Sequence, residues 1–126
     1  MKALVVDDDP IVLASCTRIL EAEGGWMVTA VGSVTDALAA MEGHTFDLLV
    51  LDLKMPERDG LQLMARLKEL QVPVPVIMMS GYATSDSVLA SLEGGAFAFL
   101  AKPFTPDELL ASVSFVAREG EKHGQS

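Results

Sequence analysis

Five times along this 126-residue chain a short apolar, strand-like run gives way to a longer helix-like stretch. That alternation constrains the fold more than any other feature. Each strand must cross over a helix to reach its neighbour, so the strands run parallel and the helices cover both faces of the sheet. Leu48-Leu49-Val50-Leu51 is the plainest of the runs: four consecutive apolar residues end at Asp52, with Pro56 four positions further on. A run of this kind, bounded by turn signals, reads as a strand buried on both faces. A carboxylate at the carboxyl end of such a strand lies where open α/β sheets place their ligands.

The other elements follow in order. Ala3-Leu4-Val5-Val6 forms a first strand that runs into Asp7-Asp8-Asp9, where Asp9 is an N-cap and Pro10 takes the first helical position. Val12, Cys16, Ile19 and Leu20 make the buried stripe of that helix, and Gly24-Gly25 ends it. A second strand spans 26–31. Ser33 then caps a helix whose inward residues are Val34, Ala37, Leu38 and Met41. Beyond Asp59-Gly60 a third helix covers about 61–70, and Pro73 and Pro75 lead into the strand Val76-Ile77-Met78-Met79, which ends at Ser80-Gly81. The helix at Ser85–Glu93 is the weakest, with few long apolar residues beyond Val88, Leu89 and Leu92. A fifth strand is expected at 97–100, ending in Ala101-Lys102-Pro103. Thr105-Pro106-Asp107-Glu108 is a capping box with proline at the first helical position, and Leu109, Leu110, Val113 and Val116 form the face that follows.

These elements make one domain, residues 1–118, with 119–126 a polar tail or the start of a linker. No apolar run approaches the ~20 residues of a membrane helix, and Met1-Lys2 leads straight into a strand, which leaves no room for a signal peptide. The single cysteine, Cys16, rules out an internal disulfide and fits a cytoplasmic setting; it reads as a small core residue. A formal charge of −9 argues against direct binding to nucleic acid or to an anionic membrane.

In a parallel sheet with right-handed crossovers all carboxyl ends meet at one edge. Asp7, Asp8, Asp52, Ser80 and Lys102 therefore converge. Capping explains Asp9 and Ser33, but not Lys102 or the number of acids sharing that edge. Clustered carboxylates raise one another's pKa unless a cation neutralises them, and a hard divalent ion with oxygen ligands would do so. Such a set suits phosphoryl transfer, with Asp52 as the nucleophile, Lys102 as a positive charge and Ser80 as a hydroxyl.

Four segments, in order and at matching spacing, carry a resemblance: Val5-Val6-Asp7-Asp8-Asp9, Leu51-Asp52-Leu53-Lys54-Met55-Pro56-Glu57-Arg58-Asp59-Gly60, Met79-Ser80-Gly81 and Phe99-Leu100-Ala101-Lys102-Pro103-Phe104. Together they resemble the receiver domain of bacterial two-component response regulators over nearly the whole chain. The resemblance implies a three-layer, flavodoxin-like (βα)5 fold with a doubly wound parallel sheet of order 2-1-3-4-5. It implies that Asp52 accepts a phosphoryl group from a histidine kinase or phosphotransfer protein in a Mg²⁺-dependent reaction, for which Mn²⁺ could substitute. Asp8, Asp52 and the backbone carbonyl of Lys54 would ligate the metal, with Asp7 acting through a bound water. Lys102 would contact the phosphoryl oxygens, and the Lys102–Pro103 bond would be cis. Ser80 and Phe99 would form the switch pair, altering a surface of the fourth helix, fifth strand and fifth helix that serves a partner or a second copy.

Phe99 stands where tyrosine is frequent, and Lys54 and Tyr82 occupy variable positions that flank the attacking water's route. Alternation is expected to put Phe97 and Phe99 on one face of the fifth strand, where Phe97 either packs under a helix or joins the partner surface. Two other readings fit the sequence less well. A phosphatase with an aspartyl nucleophile wants a second acid two residues later, where Lys54 stands. A receiver that only docks, without phosphorylation, is opposed by the intact set of Asp7, Asp8, Asp52, Ser80 and Lys102. The chain is thus expected to be a signalling switch, not a turnover enzyme.

Overall fold

The computed structural model describes residues 1–56 and 58–124, the last five by backbone alone. Ten elements alternate without interruption: β1 (Lys2–Val6), α1 (Pro10–Glu23), β2 (Met27–Val31), α2 (Val34–Met41), β3 (Leu48–Asp52), α3 (Gly60–Glu69), β4 (Val76–Ser80), α4 (Ser85–Glu93), β5 (Ala98–Ala101) and α5 (Pro106–Gly124). All strand pairs are parallel and the order is β2-β1-β3-β4-β5. This is the flavodoxin-like sheet. β3 and β4 are buried at every residue, which is why they are continuous apolar runs, whereas the edge strand β2 is mostly exposed.

Two apolar clusters lie on opposite faces of the sheet. One joins Leu4, Leu49, Leu51 and Met78 to Val34 and Ala37 of α2 and to Leu63, Met64 and Leu67 of α3. The other joins Val5, Val50, Ile77 and Met79 to Cys16, Ile19 and Leu20 of α1 and to Leu109, Val113 and Val116 of α5. α4 belongs fully to neither. Its only buried residue is Ser91, in keeping with its weak apolar pattern.

Helix starts follow the capping residues. Asp9 accepts the Ile11 amide, with Pro10 in the first turn, and Ser33 accepts the Asp36 amide. Thr105 and Glu108 make the reciprocal capping box at α5. α3 begins at Gly60, one residue before the expected start, because Asp59 and Gln62 form a second reciprocal box. The helix α5 runs on through Glu119 to Gly124.

β5 departs from expectation. It spans Ala98–Ala101 rather than 97–100, and Phe97 and Phe99 pack on opposite faces of the sheet: Phe99 against the α2–α3 cluster, Phe97 against the α1–α5 cluster. The reason is where regular alternation begins. Ala98 and Leu100 face the α1–α5 side and Phe99 the other, but Phe97 precedes the strand and is not bound by its period of two. Its amide still reaches the Val76 carbonyl at 2.8 Å.

Candidate functional site

The carboxyl ends of β1, β3, β4 and β5 deliver the polar residues to one edge. Asp7 follows β1 and is held from two sides: its amide donates to the Val31 carbonyl, and its Oδ1 accepts the Asp9 amide at 2.9 Å. It is fully buried. Asp52 closes β3 and is 4% exposed, while Asp8 next to Asp7 is exposed. One oxygen from each of Asp7, Asp8 and Asp52 lies within 4.8 Å of the others.

Lys102 arrives from the turn after β5 and neutralises part of this cluster. Its Nζ donates to Asp7 Oδ2 at 2.6 Å and to Asp52 Oδ1 at 3.1 Å. In this turn the Lys102 amide donates to the Ser80 carbonyl at 2.9 Å, and the Lys102–Pro103 peptide is cis. One ammonium cannot offset three carboxylates. Burial, then the nearby Asp7 charge, raise the Asp52 pKa from 3.8 to about 6 against the opposing pull of Lys102. Burial alone would lower the Lys102 pKa, but its bonds to Asp7 and Asp52 outweigh that and raise it. Burial also lifts the Cys16 thiol to about 11, with Asp7 adding to the effect, so Cys16 is an inert core residue.

Gly60 holds the backbone of Asp52 from behind. Its amide donates to the Leu53 carbonyl at 2.9 Å, and a Cβ there would meet the Asp52 carbonyl oxygen at 2.7 Å. Lys54 begins the loop between them with its side chain exposed. At the end of β4 the buried Ser80 hydroxyl accepts the Tyr82 amide at 2.9 Å. Asp7, Asp8, Asp52 and Lys102 are thus in one cluster, Ser80 adjoins it through the Lys102 amide, and the half-buried Phe99 packs against the α2–α3 core. A feature that sequence reading missed is the second Thr-based cap, Thr84 with Ser87, at the start of α4. The T-x-x-S spacing was its signal, but serine at the third helical position is a weaker cue than glutamate or glutamine.

The cluster is a set of hard oxygen donors in excess over its cation, which fits a divalent ion such as Mg²⁺. Among the described residues, no helix is long and apolar enough to cross a membrane. Residues 3–114 match the sequence family described as the response regulator receiver domain. The transcriptional regulatory protein TcrA of Mycobacterium tuberculosis is 38% identical over 120 residues, covering 95% of this chain and 47% of TcrA. The chain therefore spans about half the length of that relative. Among solved structures, a CheY-like response regulator receiver domain protein from Methanospirillum hungatei JF-1 superposes with a TM-score of 0.88 at 34% identity, covering 97% of each chain. A BeF3-activated DrrB receiver domain superposes with a TM-score of 0.83 at 30% identity, covering 93% of this chain and 97% of DrrB. Sequence, sheet order and the acidic edge agree: this chain belongs to the receiver domains of two-component response regulators, signalling switches rather than classical enzymes.

Proposed function

We propose that Asp52 is the phosphoacceptor of a two-component phosphorelay and takes its phosphoryl group from a phosphohistidine of a histidine kinase or phosphotransfer protein. The observation that carries this reading is the Asp7–Asp8–Asp52 cluster with Lys102 bonded to two of its members. Lys102 engages Asp52 Oδ1, which leaves Oδ2 to attack the phosphorus in line. The new bond is O–P, the broken one is P–N, and the imidazole leaves with a proton. Lys102 then stays beside the phosphoryl oxygens and Ser80 offers its hydroxyl to them. Asp8, Asp52 and the Lys54 backbone carbonyl would hold Mg²⁺ or Mn²⁺, with Asp7 acting through water. Such an ion supplies the positive charge that lets an anionic donor approach an acidic edge.

Ser80 and Phe99 form the switch pair. Ser80 turns toward the phosphoryl group, and the Phe99 ring moves into the room it leaves. The readout is the α4–β5–α5 surface, whose apolar part includes Leu89, Leu92 and Phe115 at 56%, 44% and 41% exposure. Its occupant is a partner or a second copy of the chain, and Phe97 contributes from beneath, on the α5 side of the sheet. Residues 1–118 make up the receiver and the last turns of α5, to Gly124, lead out of it toward a linker; it works in the cytoplasm without contacting nucleic acid or membrane itself.

The test is acid-labile labelling by a small phosphodonor such as acetyl phosphate with Mg²⁺. The wild type incorporates phosphate and Asp52→Asn does not; undiminished labelling of Asp52→Asn overturns the assignment.

A further inference from the structure

Ser80 is joined to the next helix through a single residue. Its Oγ accepts the Tyr82 amide at 2.9 Å, and the carbonyl of the same Tyr82 accepts the Ser87 hydroxyl at 2.5 Å. Both peptide units of Tyr82 are thus tied, one to the end of β4 and one to the first turn of α4, although the residue is 66% exposed. Ser87 Oγ is a saturated node. It accepts the Thr84 amide at 3.0 Å and lies 3.1 Å from the Thr84 hydroxyl, filling both acceptor positions. Its one proton goes to Tyr82, the Thr84 carbonyl being further away at 3.0 Å. The path continues inward: Ser91 Oγ donates to the Ser87 carbonyl at 2.8 Å, and the Ser91 carbonyl accepts the Ala96 amide at 3.0 Å, at the approach to β5.

These hydroxyls matter because α4 buries little apolar area: Val88 and Ala90 are only half-buried. Ser91 is its only buried residue, and two of its leucines face solvent. In the connecting loop, nothing lies within 4 Å of where a Cβ on Gly81 would sit, so packing does not fix the loop on that side.

We propose that Ser87 is a positioning residue whose hydroxyl transmits the orientation of Ser80 to α4 through the two peptide units of Tyr82. The inference rests on the reading of Ser80 as the hydroxyl that turns toward phosphorylated Asp52. When Ser80 turns away, the Tyr82 amide loses its acceptor and the loop must find another. The Ser87–Tyr82 bond then carries the first turn of α4 along with the loop. Ser87 touches no reacting atom, so phosphate incorporation at Asp52 proceeds without its hydroxyl.

A double-mutant cycle read from backbone amide NMR shifts of residues 88–92 in metal-free protein tests the coupling. Ser80→Ala moves these amides in the wild-type background and by less than about half as much when Ser87→Ala is present; Ser87→Thr, which keeps the hydroxyl, restores the response. Additive shifts overturn the inference, and a Ser87→Thr protein that behaves like Ser87→Ala overturns its assignment to the hydroxyl. A second arm adds Mg²⁺ and beryllofluoride, a phosphoryl mimic. Ser87→Ala keeps the shift at the Leu53 amide, beside Asp52, and loses at least about half of the α4 response; a full α4 response in that variant overturns the inference. Absence of any Leu53 shift in the wild type overturns the phosphoacceptor reading instead, and the metal-free cycle still decides the coupling.

Discussion

The turns from β4 into α4 and from β5 into α5 begin alike. Each carries a site residue near the strand end, Ser80 in one and Lys102 in the other, and each starts its helix with a threonine capping box. They are held very differently. Lys102 is pinned by two carboxylates, and α5 then sinks Leu109, Val113 and Val116 into the core. Ser80 has one backbone bond to its own loop, and α4 buries a serine while showing Leu89 and Leu92 to solvent. Good local start signals therefore do not measure how firmly a helix is fixed; buried apolar area does. One turn holds its charge between two carboxylates, and the other rests on a single loop bond and little buried apolar area.

The largest effect should come from the anchored arm. Leu109→Ala removes a fully buried side chain and is expected to cost about 2–5 kcal/mol in urea unfolding. A loss below about 1 kcal/mol would mean that α5 is no better fixed than α4.

Next is the charge that Lys102 holds. In metal-free protein at pH 7, Asp52→Asn is expected to stabilise the fold by on the order of 1–3 kcal/mol, since the Asp52 pKa is raised from 3.8 to about 6. Lys102 keeps its 2.6 Å pair with Asp7 in that variant. The folded carboxyl binds its proton more tightly than the unfolded one. Its contribution is therefore most favourable at low pH and is lost as pH rises from about 4 through about 6. Acidifying from pH 7 to 5 should narrow the gap between wild type and Asp52→Asn in thermal melts with a chelator present; a gap unchanged with pH would remove the electrostatic explanation.

The smallest effect belongs to the loose arm. Leu89→Ala, at a position 56% exposed, should leave stability within about 0.5 kcal/mol of wild type. If it instead costs as much as Leu109→Ala, α4 is anchored after all and the contrast between the two arms fails.

Most of this was legible in the chain itself. Continuous apolar runs such as Leu48-Leu49-Val50-Leu51 mark interior parallel strands, and parallel topology alone brings Asp7, Asp52, Ser80 and Lys102 to one edge. The caps Asp9, Ser33 and Thr105 are short-range effects, visible in a few residues. The face taken by Phe97 was not legible, because a period of two holds only inside a strand and β5 begins one residue later. Nor was the preference of Lys102 for Asp7 over Asp52 at 2.6 against 3.1 Å, a matter of side-chain reach that spacing does not encode. The Ser80–Tyr82–Ser87 path is not legible for a similar reason: in sequence, small hydroxyl residues near a turn have the same pattern as ordinary caps.

The bond between Lys102 and Asp7 spans 95 residues. A ribosome reads that distance as time. During synthesis Asp7, Asp8 and Asp52 all emerge before the lysine that pairs with two of them, so the site is complete only once β5 and the turn after it have been made. The pocket gains Lys102 only with the turn after β5, and through Asp7 that one side chain ties the first strand's end to the last's.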